Sequence, residues 1–215
     1  ASIGLVSSWK TTAILGTAGA RHYGSNKARY SDQPTIHVRH EPPADAANGD
    51  TAMSETSGGA VLARMLQAEG VEKVFGIIDG TYFGFYSNLH KLGIEIITPR
   101  HESCAAHMAG AYARLTGKLG VCMASNGPGV ANLMPGLVVE NAEGNRVLAI
   151  TSCRRPQIVY PDRGGAYQAF DQVGAIKHFA KWSNAVVSFD RVAELGRTAI
   201  RNCWEGRPGV VHLDV

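Results

Sequence analysis

Glu102 has a position in the sequence that allows chemistry. It follows Pro99-Arg100-His101, where a strand-like run (94–98) gives way to a helix rich in small residues (103–116). Open α/β sheets place their chemistry at such strand-to-helix junctions. Because small residues let the helix pack closely, the carboxylate at its start should be partly desolvated. Most first-turn glutamates only stabilise the helix dipole, but this setting favours an acid or base.

A tight turn, Ser125-Asn126-Gly127-Pro128-Gly129, is the second candidate. Glycines on either side of a proline let the backbone approach a ligand, and the helix N-terminus behind them favours electron-rich groups. The spacing does not match a dinucleotide-binding fingerprint, because Asn132 occupies the third glycine position, and no P-loop motif occurs. The plain alternative is a strand-to-helix turn that binds nothing. Asp79-Gly80 follows another strand-like run, although Asp-Gly is also a common turn dipeptide.

The elements that position these residues begin at Ser57. Apolar runs that read as strands alternate with segments of helical periodicity, which predicts an α/β fold: a three-layer open sheet of about six parallel strands with helices on both faces. The strands are expected near 73–78, 94–98, 119–124, 146–151, 185–188 and 210–215. Right-handed crossovers bring the carboxyl ends of parallel strands to one edge. Four junctions should therefore share that edge: Asp79-Gly80, Glu102, Asn126–Gly129 and Thr151-Ser152.

Residues 1–52 have a different composition from the rest. Up to His40 they contain five lysines and arginines and one acid, Asp32. A basic, acid-poor leader is typical of a mitochondrial or plastid transit peptide. We favour the alternative of a disordered leader or upstream extension with a linker. The folded domain is then expected at 53–215, in a cytoplasmic protein.

Composition excludes several classes of function. A formal net charge of +3 over 215 residues is too small to indicate nucleic-acid binding. No apolar run reaches the ~18 residues of a membrane span. The four cysteines form no CxxC pair and no zinc-finger spacing, so we predict no metal ligand in this chain. Cys104, Cys122 and Cys203 lie in apolar segments and read as buried hydrophobes in a reducing compartment.

Several segments together resemble the N-terminal pyrimidine-binding domain of thiamine diphosphate enzymes, most closely the acetolactate synthase-like branch. The resemblance covers about residues 57–215. Its motifs are Arg100-His101-Glu102, the helix from Ala105-Ala106-His107 to Thr116-Gly117, the run Ser125–Asn132 and the closing Gly206–Val215.

The resemblance implies roles for individual residues. In that family the glutamate that matches Glu102 hydrogen-bonds pyrimidine N1′ of the cofactor, which then deprotonates its own thiazolium carbon and attacks a 2-oxo acid. A glutamine near the reacting carbon matches Gln168. Catalytic roles are therefore expected for Glu102 and Gln168. Cofactor binding is expected for Asp79, Gly80, Glu102, Asn126, Gly127, Pro128, Gly129 and Asn132.

The implied activity is a thiamine diphosphate-dependent lyase or transferase, a decarboxylase or carboligase acting on small 2-oxo acids. Mg²⁺ and the diphosphate are expected in a second domain with a Gly-Asp-Gly motif, and no Gly-Asp-Gly occurs in these 215 residues. These residues alone should therefore be inactive. A second subunit of a homodimer or tetramer is expected, with no nucleic acid and no membrane as partner.

Departures from the family pattern bear on the substrate. The first turn, Gly76–Gly80, lacks the family's proline. Tyr167-Gln168-Ala169 replaces Phe-Gln-Glu and so lacks the acid, and Asn126 stands where Ser or Thr is commoner. Two alternatives therefore stay open: a non-catalytic assembly or regulatory module, and another family chemistry such as oxalyl-thioester decarboxylation.

Overall fold

A computed structural model describes residues 56–154 and 167–215. The predictions for residues 1–52 lie outside these ranges. In this part of the chain six strands form one sheet in the order β2-β1-β3-β4-β6-β5, and every neighbouring pair is parallel. The predicted α/β fold class is confirmed. The strands are β1 Lys73–Gly76, β2 Glu95–Ile97, β3 Gly120–Ala124, β4 Val147–Thr151, β5 Trp182–Ala185 and β6 Val210–Asp214.

Helices cover both faces of the sheet, as the hydrophobic pattern predicted. One face packs against α1, α2 and α6, and the other against α3, α4 and α5. The helices described are α1 Gly58–Ala68, α2 Phe83–Lys91, α3 Glu102–Thr116, α4 Pro128–Ala142, α5 Gln172–Lys177 and α6 Val192–Trp204, with short 3₁₀ helices at Gly80–Tyr82 and Phe189–Arg191. None of these helices is long and apolar enough to cross a membrane.

Alternation along the central strands divides the core into two layers. In β3, Val121 and Met123 pack with the α1 and α2 side, whereas Cys122 and Ala124 pack with α3 and α4. Side chains of a strand alternate between its faces. The α3 and α4 side therefore receives the smaller side chains, and alanines fill the buried face of α3. Because these side chains are small, α3 and α4 can lie close to the sheet.

The fifth strand lies earlier than the sequence predicted. β5 runs from Trp182 to Ala185, whereas an apolar run had indicated residues 185–188. Ser183 and Asn184 interrupt the apolar pattern of this strand. The structure accommodates both, because Asn184 is exposed at the sheet edge and Ser183 hydrogen-bonds His212 of β6. An edge strand needs no continuous apolar run, so a search for such runs misses its start.

The strand order creates a crevice at the carboxyl edge of the sheet. From β1 the chain moves outward to β2 and then returns to the other side of β1 to form β3. The loops after β1 and β3 consequently diverge, and ligands of open α/β sheets bind at such switch points. The segments after β1 and β3 contain Asp79-Gly80 and the Gly127–Gly129 turn.

Candidate functional site

The turn between β3 and α4 forms the centre of the candidate site. Gly127 has φ 71° and ψ −116°, a left-handed conformation that strains residues with a side chain. A Cβ atom on Gly127 would also lie 2.5 Å from Cα of Gln168. Pro128 begins α4, where its missing N–H leaves no helical hydrogen bond unmade. The backbone path therefore requires glycine at position 127 and accommodates proline at position 128.

Glu102 faces this turn from the first residue of α3. A Cβ atom on Gly129 would lie 3.6 Å from Glu102 Oε1 and 2.9 Å from Ser125 Oγ. The absent side chain lets the Ser125 hydroxyl and the Glu102 carboxylate lie close to the backbone of the turn. Asn132 Nδ2 donates to Glu102 Oε2 at 3.2 Å, and Ser103 Oγ donates to the Asn132 carbonyl at 2.5 Å.

The second carboxylate oxygen of Glu102 has unused bonding capacity. Among the described residues Oε1 makes no hydrogen bond, and the side chain is only partly buried. We call Glu102 and Asn132 the open pair. A partly desolvated carboxylate that is held at one oxygen and free at the other can exchange a proton with a ligand placed against Gly129.

Asp79 and Gly80 lie at the same edge but have structural contacts of their own. Asp79 Oδ1 accepts hydrogen bonds from the Thr81 N–H at 2.8 Å and from Thr81 Oγ1 at 2.7 Å, and so caps the 3₁₀ helix that Gly80 begins. Thr81 Oγ1 in turn lies 3.0 Å from Ser152 Oγ, just beyond β4. Their predicted role in cofactor binding stays a prediction.

Asn126 and Gln168 lie at the Gly127 end of the turn, whereas Glu102 lies at its Gly129 end, and we call these two ends the flanks of the turn. Asn126 is 1% exposed, and its Nδ2 donates to the Gln168 carbonyl at 3.3 Å. Gln168 lies against Gly127 through its backbone, and its Oε1 accepts a hydrogen bond from Arg154 Nη2. The structure thus brings Glu102 together with Asn132 and brings Asn126 together with Gln168, one pair at each end of the turn. Asp79 and Gly80 stay apart from both pairs.

Sequence reasoning missed a buried polar network that holds this turn. Its central residue is Gln172, which accepts the Gly127 N–H at 2.8 Å and donates to the Ser152 carbonyl at 2.9 Å and to Asp214 Oδ1 at 2.8 Å. Thr151 Oγ1 also donates to Asp214 Oδ1, at 2.5 Å. The members, which we call the buried polar network, are Thr151, Gln172, His212 and Asp214.

His212 extends the network towards the sheet edge. Its Nε2 lies 2.7 Å from Thr151 Oγ1 and its Nδ1 lies 2.7 Å from Ser183 Oγ. Because Thr151 gives its only proton to Asp214, His212 must donate through Nε2. Polar residues at the inward positions of otherwise apolar strands were the signal in the sequence that could have identified this network.

Burial perturbs the ionisation of two network residues in opposite directions. It lowers the pKa of His212 to about 3, so this imidazole is neutral at physiological pH. It raises the pKa of Asp214 to about 6, against the hydrogen bonds from Thr151 and Gln172, which favour the carboxylate.

The cysteines take no part in this chemistry. Cys104 is exposed, which corrects the prediction that it is buried, because the buried stripe of α3 runs through Ala105, Ala106 and Ala109. Burial raises the pKa of the Cys153 thiol to about 11, which leaves it protonated near neutral pH. The described residues contain no group of three or more His, Cys, Asp or Glu that could hold a metal ion.

Comparisons with known proteins identify one family. Residues 56–175 match the family described as "Thiamine pyrophosphate enzyme, N-terminal TPP binding domain". A probable acetolactate synthase large subunit of Methanococcus aeolicus is 33% identical over 159 residues, which cover 74% of this chain and 26% of that protein.

Two further relatives extend the comparison. The acetolactate synthase isozyme 2 large subunit of Escherichia coli (strain K12) is 36% identical over 160 residues, covering 74% of this chain and 28% of that protein. The 2-hydroxyacyl-CoA lyase 1 of Mus musculus is 30% identical over 176 residues, covering 81% of this chain and 30% of that protein. The matched segment thus spans between a quarter and a third of these relatives.

Proposed function

Since the chain belongs to the thiamine pyrophosphate (thiamine diphosphate) enzymes, in the family of their N-terminal binding domain, we propose that it forms the pyrimidine-binding half of an active site. The activity proposed for the full-length protein is acetolactate synthase-like decarboxylation and carboligation of small 2-oxo acids. Similarity to acetolactate synthase subunits from an archaeon and a bacterium supports this choice.

The observation that carries the proposal is the free oxygen of Glu102 opposite Gly129. Oε1 makes no hydrogen bond among the described residues, whereas Oε2 is held by Asn132 at 3.2 Å. The missing side chain of Gly129 lets the carboxylate lie close to the turn, with Oε1 3.6 Å from where a Cβ atom would stand. A flat heterocycle with a ring nitrogen fits a site that offers one carboxylate oxygen and a backbone without side chains.

The residues of this chain then have distinct tasks. Glu102 would hold or accept a proton at Oε1, and Asn132 would keep the carboxylate turned towards the turn. Gly127 and Gly129, both buried, would exclude water from one side of the ring. When bound, thiamine diphosphate supplies the electron sink for the charge that decarboxylation leaves behind.

A second subunit and Mg²⁺ complete the proposal. Several apolar side chains on α3 and α4 are exposed, which supports a protein partner on these two helices. They are Met108, Leu115, Val138 and Val139. Mg²⁺ would be bound by another domain of the full-length protein. The four cysteines are all free, which supports a cytoplasmic location.

A second candidate activity is another thiamine diphosphate-dependent reaction, on an acyl thioester, such as oxalyl-thioester decarboxylation. The similarity to a 2-hydroxyacyl-CoA lyase favours it, as does Tyr167-Gln168-Ala169, which lacks the acid of the usual motif. The full-length protein supplied with either pyruvate or a 2-hydroxyacyl-CoA would separate the two activities by its product.

Titration calorimetry of the full-length protein tests the cofactor assignment. We expect thiamine diphosphate with Mg²⁺ to bind and NAD to give no heat beyond dilution. Binding of NAD with no binding of thiamine diphosphate would contradict the proposal and would favour a nucleotide-binding domain.

A further inference from the structure

Arg154 is a partly buried cation beside the candidate site. It lies three residues beyond the end of β4, at the sheet edge that carries Glu102 and the Gly127–Gly129 turn. Its Nη2 donates to Oε1 of Gln168, and Gln168 lies directly against Gly127. The guanidinium is therefore held on the flank of the turn opposite Glu102.

The guanidinium has no anionic partner in the described part of the chain. Its Nε is buried there without any hydrogen-bond partner. Three exposed arginines pair with acids, namely Arg114 with Glu143, Arg191 with Glu194 and Arg201 with Glu205. Arg146 and Arg207 instead donate to backbone carbonyls. A buried, unpaired donor costs stability, and a small anionic ligand is one group that could supply the missing acceptor.

Asp214 does not supply that anion. It borders the same small cavity as Arg154, of about 30 Å³, together with Cys153, Gln168 and Phe170. Its Oδ1 already accepts hydrogen bonds from Thr151 and Gln172, and it forms no ion pair with Arg154. A cavity of this size holds one or two waters, so a ligand could offer Arg154 only a small group.

We propose that Arg154, fixed by Gln168, binds the carboxylate of the 2-oxo acid substrate. Guanidinium and carboxylate form charge-assisted, often bidentate hydrogen bonds. The substrate carboxylate would then lie on one flank of the Gly127–Gly129 turn and Glu102 on the other, with the reacting carbon between them. This inference rests on the proposed function and adds a residue that recognises the anionic end of the substrate.

The test uses oxamate, an unreactive carboxylate analogue of pyruvate, with the full-length protein loaded with thiamine diphosphate and Mg²⁺. We expect Arg154→Gln to weaken oxamate binding about tenfold or more, and Arg154→Lys to weaken it less. Binding of the neutral ester ethyl oxamate and of thiamine diphosphate should not change. Arg201→Gln, an exposed arginine of α6, is the matched control and should bind oxamate as the wild type does.

Three outcomes would overturn the inference: no oxamate binding by the wild type, equal oxamate affinity in the wild type and Arg154→Gln, or equal weakening of oxamate and its ester. Adenosine 3′,5′-bisphosphate, which carries phosphates and no carboxylate, is tested in parallel. If Arg154→Gln loses affinity for this compound but not for oxamate, the anion is a phosphate and the carboxylate assignment is wrong. If thermal melting shows that Arg154→Gln does not fold, the oxamate affinity of Arg154→Lys is compared with that of the wild type instead, since lysine keeps the charge but lacks the Nε donor. If the wild type does not bind thiamine diphosphate, the proposed function is refuted instead.

Discussion

The two flanks of the Gly127–Gly129 turn differ in how completely their polar atoms are paired. On one flank, the open pair has a single hydrogen bond between its side chains and a free carboxylate oxygen. On the other, Thr151, Gln172, His212 and Asp214 are each at most 4% exposed and hydrogen-bonded to one another or to the turn. These four residues fix the turn, whereas the open pair, like the unpaired Nε of Arg154, keeps bonding capacity for a ligand.

Glu102→Gln should have the largest effect and should act on activity alone. Because the amide cannot exchange a proton as the carboxylate does, we expect turnover of pyruvate by the full-length protein to fall about 10²- to 10⁴-fold. The melting temperature should stay within about 2 °C, since Oε1 makes no hydrogen bond in this part of the structure. Glu143→Gln, at the exposed end of α4, serves as the control. Unchanged turnover in Glu102→Gln would instead support a non-catalytic module.

Gln172→Leu should act on stability. It removes the acceptor of the Gly127 N–H and the donor to Ser152 and Asp214, leaving buried polar groups unpaired. We expect a loss of about 4 kcal/mol in urea unfolding of this chain. Gln67→Leu is the matched control, because Gln67 donates its single hydrogen bond from an exposed position. Equal losses in the two variants would show that the network does not hold the turn.

Asp214→Asn should change how stability depends on pH. The folded state raises the pKa of this carboxyl from 3.8 to about 6, so ionisation destabilises the fold. The cost is absent below about pH 4, grows between pH 4 and 6, and reaches about 3 kcal/mol above that range. The variant cannot ionise at this position. Its free energy of unfolding in urea, relative to that of the wild type, should therefore rise by about 3 kcal/mol between pH 4 and pH 7. A difference that is constant with pH would show that Asp214 titrates normally.

Asn132→Ala should have the smallest effect. Among the described residues it removes the only hydrogen bond that orients the Glu102 side chain, which is 3.2 Å long and lies at the protein surface. We expect about a tenfold drop in turnover of pyruvate, equivalent to about 1.4 kcal/mol, with little change in melting temperature. Asn184→Ala, on the exposed edge of β5, is the control. A loss of stability as large as that of Gln172→Leu would erase the distinction between the two flanks.

The open pair could be found from the sequence, whereas the contacts within the buried polar network could not, although its polar residues in apolar strands could be noticed. Glu102 and the Gly127–Gly129 turn each lie at a strand-to-helix junction, a local pattern that predicts a shared edge once the strands are known to be parallel. Gln172 and Asp214 meet only because α5 and β6 pack together, 42 residues apart in the chain. Nothing in the residues beside either of them indicates the other. Arg154 and Gln168 meet for the same kind of tertiary reason.

The position of β6 in the sheet has a consequence for synthesis. β6 pairs with both β4 and β5, although it follows both in the chain. While the ribosome adds the roughly sixty residues between Thr151 and Asp214, at about 5–20 residues per second, the edge of β4 stays without its partner for about 3 to 12 seconds. β5 emerges during that interval with no strand to join. Because Thr151 belongs to β4 and Asp214 to β6, the bond between them can form only after β6 has been synthesised.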